Sequence, residues 1–563
     1  MRVRRAGTEF WIVAAAAGLI ATLSLLPMLR LAVEAVDASL VRKVLSSPAV
    51  WRALGRSLET SLGGSLLAVV LGGGFALAVG LTNLPGRRLL TLAAMLPLLI
   101  PSQIIVLAWI EMFRPATELL ALLGVQVDPG TANPLYSPQG IMLLLGVEQA
   151  PIAFLAVRAA LLALPRELVE AARCAGARGG QILAHVVLPL ALPAVGAGFG
   201  LAFVACLGNF GVAALLGIPA RYPTLPVLIY QRLSGFGTSI LAEAAVMAVT
   251  LAVVAGLAVL AVTWVSRRGD AAVIGSGSGA DPLRFDLGRW GAPLGLLLAA
   301  AALLMTVVPL AALAATSVTK AYGLDLTAET FTLAHYARAL AVPQTGRALW
   351  NSLWMSGLAA VLLAALAVPC AVAGLWSRRH AVRRLFGVLG FVAELPYALP
   401  GVVLGIAAIL LYLRPLPVVD VTLYGTAALI VVAYLARFMP LALRPIQAAL
   451  LQVDRVMDEA AQAFGARYWH RLVSIAVPLV MPSAFAAALV VFLTAFNELT
   501  VSALLWSRGN ETIGIVIYFL EEGGDTPGAA AVSMICMAFV FALAALATWL
   551  LPAPARRVLP WCH

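Results

Sequence analysis

The chain has 563 residues, of which 62% are hydrophobic and only 11% are charged, and its mean hydropathy is +0.99. No polar stretch is long enough to fold a soluble domain, so this composition excludes a soluble enzyme and indicates a membrane protein. The net charge of +11 comes from arginines in short segments between apolar runs, where positive charge orients a membrane protein, so we do not interpret it as a nucleic-acid surface.

Apolar runs of about 20 residues, the length that crosses a bilayer, recur along the whole chain. They predict an all-α membrane protein with helices near residues 10-34, 57-82, 88-113, 139-163, 191-217, 240-265, 291-315, 348-376, 385-413, 421-446, 483-506 and 528-551. The first run follows a basic start like that of a signal peptide, but its length favours a retained helix. Most basic residues then fall on the side of the N-terminus, which predicts that both termini are cytoplasmic.

A flexible tract rich in glycine and serine, residues 266-290, separates two predicted halves, 1-265 and 291-563. Short motifs recur between the halves: Leu96-Pro97-x-x-Ile100-Pro101 in the first half returns as Leu395-Pro396-x-x-Leu399-Pro400 in the second. Each half starts on the same side and has six predicted spans. The repeat is therefore parallel, with its axis along the membrane normal and a pathway expected between the halves.

Two polar loops, 165-189 and 454-478, follow the fourth predicted span of each half. The first contains Glu170, Ala171, Ala172, Gly176 and Pro189, and the second contains Glu459, Ala460, Ala461, Gly465 and Pro478 at the same spacings. Pro165 and Asp454 can start a short helix in each loop, and the glycine can end it. Adjacent alanines leave a smooth face with charged neighbours, which indicates docking of another protein. An ordinary amphipathic interfacial helix is the alternative, but it need not repeat the spacing.

Both loops resemble the EAA loop, E-A-A-x(3)-G-x(9)-I-x-L-P, of permease subunits of binding-protein-dependent ABC importers with the type I (MetI-like) fold. The departures, Val186 and Val477 in place of isoleucine and leucine, keep the apolar character. The resemblance covers both halves and implies that each loop forms a coupling helix seated in an ATPase subunit. It implies as partners two ATP-binding cassette subunits, which use ATP-Mg, and one extracytoplasmic binding protein, in the bacterial inner membrane.

The chain does not contain the Gly-Lys-Ser/Thr sequence of a Walker A loop, since its only lysines are Lys43 and Lys320. We therefore expect no catalytic residue and no bound cofactor in this chain, and hydrolysis by separate subunits. Its five cysteines and five histidines are dispersed and predict neither a disulfide framework nor an imidazole metal site. An ion-coupled secondary transporter would also have twelve helices in parallel halves, but the paired loops argue against it, and no catalytic constellation supports a membrane enzyme.

A second resemblance concerns the substrate. Two segments resemble fused permeases of the ferric iron and thiamine group, namely Gly208-Asn209-Phe210-Gly211 and Phe496-Asn497-Glu498-Leu499-Thr500. The second segment resembles the iron permeases more closely. The resemblance favours ferric iron, with thiamine and polyamine or phosphonate as alternatives. Oxygen ligands suit ferric ions, although the acidic groups in or near the spans are more simply explained as structural charges. These are Glu111, Glu148, Glu394 and Glu498.

Two hypotheses concern the spans, and both use the 289-residue offset that relates the two loops. Phe210 and Leu499 are predicted to be apolar plugs of a closed gate, with Asn209, Asn497 and Glu498 beside the path; ordinary packing is the alternative. The offset also places Glu148 opposite Arg437. Because a lone charge in a span is costly, we predict an ion pair between these two residues across the halves, the alternative being that each is satisfied separately.

Overall fold

The computed structural model describes residues 8–114, 124, 133–162, 164–235, 239–270, 285–415 and 420–550. Within these ranges the chain is helical and forms no β-strand. Ten of its helices are long and apolar enough to cross a membrane, and the number rises to 12 when each of two sharply bent helix pairs is counted as one span. This confirms the predicted all-α membrane fold. Most of the predicted linker, 266-290, lies outside the described residues.

The helices of the first half are α1 (Thr8–Glu34), α2 (Ala38–Leu45), α3 (Pro48–Leu81), α4 (Arg87–Leu99), α5 (Ser102–Met112), α6 (Pro138–Leu162), α7 (Arg166–Cys174), α8 (Gly179–Ile182), α9 (Leu188–Leu207), α10 (Gly211–Gly217), α11 (Leu225–Leu233) and α12 (Ile240–Asp270). A π-helical turn, Leu183–Val187, joins α8 to α9. The end of the polar loop and the following span therefore form one continuous rod.

The helices of the second half are α13 (Gly291–Ala302), α14 (Val308–Ser317), α15 (Ala334–Ala341), α16 (Pro343–Trp376), α17 (His380–Ala398), α18 (Gly401–Tyr412), α19 (Ala427–Gln452), α20 (Val456–Ala463), α21 (Tyr468–Arg471), α22 (Val477–Phe496), α23 (Ser502–Leu505), α24 (Ile513–Glu522) and α25 (Thr526–Leu550). The π-helical turn Leu472–Ala476 repeats the turn of the first half at the same 289-residue offset. Another, Leu303–Val307, joins α13 to α14.

The predicted continuous helices 88-113 and 385-413 are wrong in one respect, because each is sharply bent in its middle. The axes of α4 and α5 meet at 106°, and those of α17 and α18 at 105°. Both bends fall in the repeated Leu-Pro-x-x-Ile/Leu-Pro motif, where Ile100 and Leu399 are extended. A residue before proline is disfavoured in the helical region, and proline has no N–H to donate, so the second proline of each motif forces the break.

The predicted helices 191-217 and 483-506 are also interrupted, after Leu207 and after Phe496. Polar side chains restart the helix in both places. The side-chain oxygen of Asn209 accepts a hydrogen bond from the backbone N–H of Val212 at 2.9 Å, and the Glu498 carboxylate accepts one from Val501 at 2.9 Å. Such side chains stabilise the start of a helix, which hydropathy alone does not reveal.

The first span of each half packs against the other half. Three side chains of α1, Val13, Ala16 and Ile20, are buried in a cluster formed mainly by second-half residues, and α1 contacts α17 and α18. In the same way α14 contacts α5, and its Leu313 is buried in the largest apolar cluster, which contains residues of both halves. This exchange of first spans makes the two halves one interlocked unit.

Helices α3 and α6 approach closely because glycines lie between them. A Cβ atom at Gly72 would lie 2.1 Å from the carbonyl oxygen of Ala150 and 2.7 Å from the backbone nitrogen of Phe154, whereas a Cβ at Gly74, on the same helix, meets nothing within 4 Å. Only glycine fits at position 72 without moving the backbone of α6.

We therefore expect Gly72→Ala to lower the free energy of unfolding by about 1–3 kcal/mol through overpacking, and Gly74→Ala to lower it by no measurable amount. Thermal unfolding of the detergent-solubilised chain, followed by tryptophan fluorescence, measures both. Equal melting temperatures for the two variants would contradict the close helix contact.

Candidate functional site

The two polar loops have the same backbone conformation. Gly176 and Gly465, related by the 289-residue offset, both have φ of +82°. After each glycine, a backbone N–H closes the helix by bonding back to an alanine of the motif, Ala177 to Ala172 at 3.0 Å and Ala466 to Ala461 at 2.9 Å. This left-handed glycine ending is a common helix stop, and it agrees with the predicted helix, turn and second helix in each loop.

The predicted helix starts are also found. Helix α7 begins directly after Pro165, and the Asp454 carboxylate accepts a hydrogen bond at 3.1 Å from the backbone N–H of Val456, the first residue of α20. The motif side chains lie at the surface: Ala172 and Ala461 are half-buried, and the others are exposed, namely Glu170, Ala171, Gly176, Pro189, Glu459, Ala460, Gly465 and Pro478. This exposure leaves both motifs accessible to a partner protein.

A buried ionic network joins the second loop to the start of α1. Asp458 and Arg471, both buried, form an ion pair in which Arg471 Nη1 lies 2.6 Å from each carboxylate oxygen of Asp458. Arg471 Nη2 also lies 3.4 Å from Glu9 Oε1, and the other Glu9 oxygen accepts a hydrogen bond from Ser377 at 2.7 Å. Since Glu9 belongs to α1, the start of the first half is tied to the loop of the second.

The first loop has no such ion pair at the equivalent positions. The 289-residue offset replaces Asp458 by Val169 and Arg471 by Ile182. Both apolar residues are buried in one cluster. Burying an ion pair and burying an apolar pair are thus two solutions for the same contact within one chain.

The first loop is instead touched by the segment that precedes the second half. The guanidinium carbon of Arg173 lies 5.5 Å from the ring centre of Phe285, a distance typical of a cation–π contact. Phe285 is fixed by a backbone hydrogen bond to Leu81 at 2.6 Å. Next to it, the N–H of Gly288 and the side chain of Asn83 bond to the Asp286 carboxylate and lower its pKa.

At the centre of the molecule, each bend of one half meets the interrupted helix of the other. The side-chain amide of Asn497 lies 3.4 Å from the carbonyl oxygen of Leu99, at the first bend. A Cβ at Gly208, the position that corresponds to Asn497, would lie 3.2 Å from Cα of Pro400, at the second bend. These two contacts occupy equivalent positions in the repeat, and each joins the bend of one half to the interrupted helix of the other.

The predicted gate residues lie at this junction. Phe210 and Leu499 are both buried in the cluster shared by the halves. The ring of Phe210 packs against Tyr230 and Tyr518, with centroid distances of 4.9 and 5.9 Å, and the two tyrosines meet edge to face at 6.3 Å. Hydropathy did not single out these tyrosines, although they occupy matching positions before the last span of each half.

Glu148 and Arg437 do not form the predicted ion pair across the halves. The Glu148 carboxylate accepts hydrogen bonds from Ser102 at 2.6 Å and from Asn209 at 2.9 Å, both in its own half. Ser102 and Asn209 therefore satisfy the Glu148 charge within the first half. The sequence did not single out Ser102 as a partner of Glu148. The alternative interpretation, separate satisfaction, holds for Glu148.

Arg437 occupies the corresponding place in the second half. A Cβ at Gly401, which takes the position of Ser102 there, would lie 2.5 Å from Arg437 Nη1, and Glu498, the counterpart of Asn209, interacts electrostatically with Arg437. Glycine thus leaves room for the larger arginine. Prediction of a cross-half pair failed because the offset identifies equivalent positions and not contacts. Glu148 is satisfied by Ser102 and Asn209 of its own half, while Arg437 Nη1 is buried with no hydrogen-bond partner among the described residues.

The other acidic residues in the spans have structural partners. Glu111 accepts a hydrogen bond from Thr316 at 2.5 Å and lies 3.6 Å from Arg114. Glu394 forms a two-pronged ion pair with Arg444, at 2.8 and 2.6 Å. Across the described ranges, no group of three or more His, Cys, Asp or Glu side chains is placed to hold a metal ion.

This arrangement, two interlocked helical halves with matching exposed loops, defines a membrane component of a transport system. The sequence pattern of the family described as "binding-protein-dependent transport system inner membrane component" matches residues 53–269 and 370–559. The chain belongs to this family, as the EAA motifs predicted, and is a multi-pass inner-membrane permease with the family domain present twice.

Three relatives match over most of their length. A probable ABC transporter permease of Sinorhizobium fredii is 27% identical over 505 residues, 88% of this chain and 85% of the relative. An Fe(3+)-transport system permease of Haemophilus influenzae is 26% identical over 92% of this chain and 93% of its own length. A putative ferric transport system permease of the same organism is 24% identical, over 86% and 74%.

Substituting the buried ion pair tests how the second loop is held. Asp458→Ala leaves the Arg471 charge buried without its main partner, and we expect a loss of about 3–5 kcal/mol in the free energy of unfolding. Asp458→Val with Arg471→Ile, which copies the pair of the first loop, should recover most of that loss. Chemical denaturation in detergent measures both variants, and a double variant no better than Asp458→Ala would contradict the equivalence of the two contacts.

Proposed function

We propose that this chain is the transmembrane permease of an ATP-driven importer, which receives its substrate from an extracytoplasmic binding protein and releases it into the cytoplasm. The observation that carries the proposal is the pair of exposed loops with identical spacing, equal glycine conformation and matching π-helical turns. One chain with two such loops would bind two ATPase subunits. Both loops and both termini would then lie in the cytoplasm.

The cargo we propose is ferric iron. Two of the relatives described above are named as ferric or Fe(3+) permeases, and the segment Phe496 to Thr500 resembles that group. Since the described spans contain no acidic cluster suited to hold iron, the binding protein would determine most of the selectivity. Thiamine and polyamine or phosphonate are the alternative cargoes.

The central junction gives the transport cycle a physical basis. Phe210, Tyr230 and Tyr518 close the interface between the halves with apolar and aromatic contacts, so a hydrated ion cannot pass without separating them. Each loop continues through a π-helical turn into a span helix, α9 or α22, which ends at Leu207 or Phe496, just before Phe210 or Leu499 in the chain. A movement of the docked ATPase subunits would therefore be transmitted along this helix as far as the break that adjoins the gate residue.

Reconstitution tests the function directly. The chain, its ATPase and its binding protein are reconstituted with proteoliposomes. Uptake of radioactive ferric iron is measured with ATP supplied to the membrane face that carries the ATPase. We expect uptake that requires all three proteins and ATP. Uptake that persists on a proton or sodium gradient without the ATPase would contradict the importer assignment, and ATP-driven uptake of thiamine but not iron would correct the cargo alone.

The gate assignment gives a separate prediction. Cysteines placed at Phe210 and Leu499, in a background without the exposed Cys174, should crosslink in the nucleotide-free complex, because a Cβ at the neighbouring Gly211 would lie 3.5 Å from Leu499 Cδ2. Trapping ATP on the complex should reduce the crosslinked fraction severalfold. A crosslinked fraction that does not change with nucleotide would show ordinary packing at this point.

A further inference from the structure

The two docking loops share a backbone but differ in the side chains they expose. Four exposed apolar residues of the second loop replace smaller or charged residues of the first at the 289-residue offset, and a fifth, Met457, replaces another exposed apolar residue. The replacements are Val456 for Glu167, Met457 for Leu168, Phe464 for Ala175, Trp469 for Gly180 and Val473 for Ala184. The second loop therefore presents a much larger apolar surface than the first.

Phe464 is the most exposed of these residues, with a relative solvent accessibility of 93% for the whole residue. It lies on the turn immediately before Gly465, and exposed charged residues, Glu459 and Arg467, lie on both sides of it in the chain. A large apolar side chain surrounded by charges is typical of the centre of a protein interface, where aromatic anchors are enriched.

The ionic network beneath the second loop keeps this surface in place. Asp458 lies in the helix that ends before Phe464, and its buried bond to Arg471 joins the two arms of the turn. Arg471 also reaches Glu9 of α1. A surface that is already ordered before binding loses less conformational entropy when a partner docks.

The first loop offers fewer apolar contacts to a partner protein at the equivalent positions. Ala175 supplies only one methyl group where the second loop has a phenyl ring, and Glu167 introduces a charge where the second loop has Val456. Affinity depends on a few buried anchors more than on total contact area. Loops with the same backbone can therefore bind the same kind of partner with unequal strength.

We propose that the second loop is the primary anchor for the ATPase, with Phe464 entering an apolar pocket of one ATPase protomer, and that the first loop binds the other protomer more weakly. This inference rests on the proposed function, because the occupant of both loops is the ATPase. The Phe464 surface is continuous with the EAA motif on the same turn. Assembly is then ordered, with the second loop occupied first.

A titration tests this asymmetry. The full-length chain is placed in lipid nanodiscs, and the ATPase used in the reconstitution, fluorescently labelled, is added while binding is measured. The wild type should show two binding steps. Phe464→Ala should weaken the tighter step by about tenfold or more, the size expected for an aromatic anchor, whereas Leu168→Ala on the first loop should leave that step unchanged within about threefold.

A transfer variant supplies the matched control. Adding Ala175→Phe to Phe464→Ala should restore one tight step, now on the first loop, and a monodisperse elution profile establishes that each variant is folded. Equal weakening by Phe464→Ala and Leu168→Ala would overturn the asymmetry while leaving docking intact. Full ATPase binding by Phe464→Ala would overturn the anchor and assign the ring to lipid, and no ATPase binding by the wild type would overturn the proposed function itself.

Discussion

Inside a membrane every backbone N–H and C=O needs a hydrogen-bond partner within the protein. The two sharply bent spans of this chain break the regular pattern of helical hydrogen bonds, so other parts of the protein must cover the break. The bends after Leu99 and Ala398 are tolerated because the opposite half covers them. Asn497 reaches the Leu99 carbonyl oxygen, and Gly208 allows Pro400 to approach. Satisfying the broken backbone thus forces the halves together at their centre, where the gate residues lie.

The exchange of first spans also holds the two halves together. Because α1 packs on second-half helices and α14 on α5, each half holds a helix of the other. The contacts at the loop side extend this coupling: Glu9 reaches Arg471, and Phe285 lies under Arg173. A force applied at either loop therefore acts on both halves of the pathway.

Hydropathy and the internal repeat predicted much of this structure, namely the helical class, the positions of most spans and the conformation of both loops. The bends escaped prediction because apolar content does not report a backbone break, although the paired prolines carried that signal. The pairing of Glu148 with Ser102 and Asn209 was missed for a different reason: sequence offsets identify equivalent positions, but only packing determines which side chains meet. The asymmetry of the loops was visible in the sequence, yet its meaning required the burial of Asp458 and Arg471.

We propose that this one chain carries two ATPase-docking loops around a single pathway. Native mass spectrometry of the complex extracted from the membrane measures this most directly, since the mass gives the number of each subunit. We expect one copy of the 58.7 kDa chain with two ATPase protomers. A complex with one ATPase protomer per chain, or with two copies of this chain around one ATPase dimer, would contradict it.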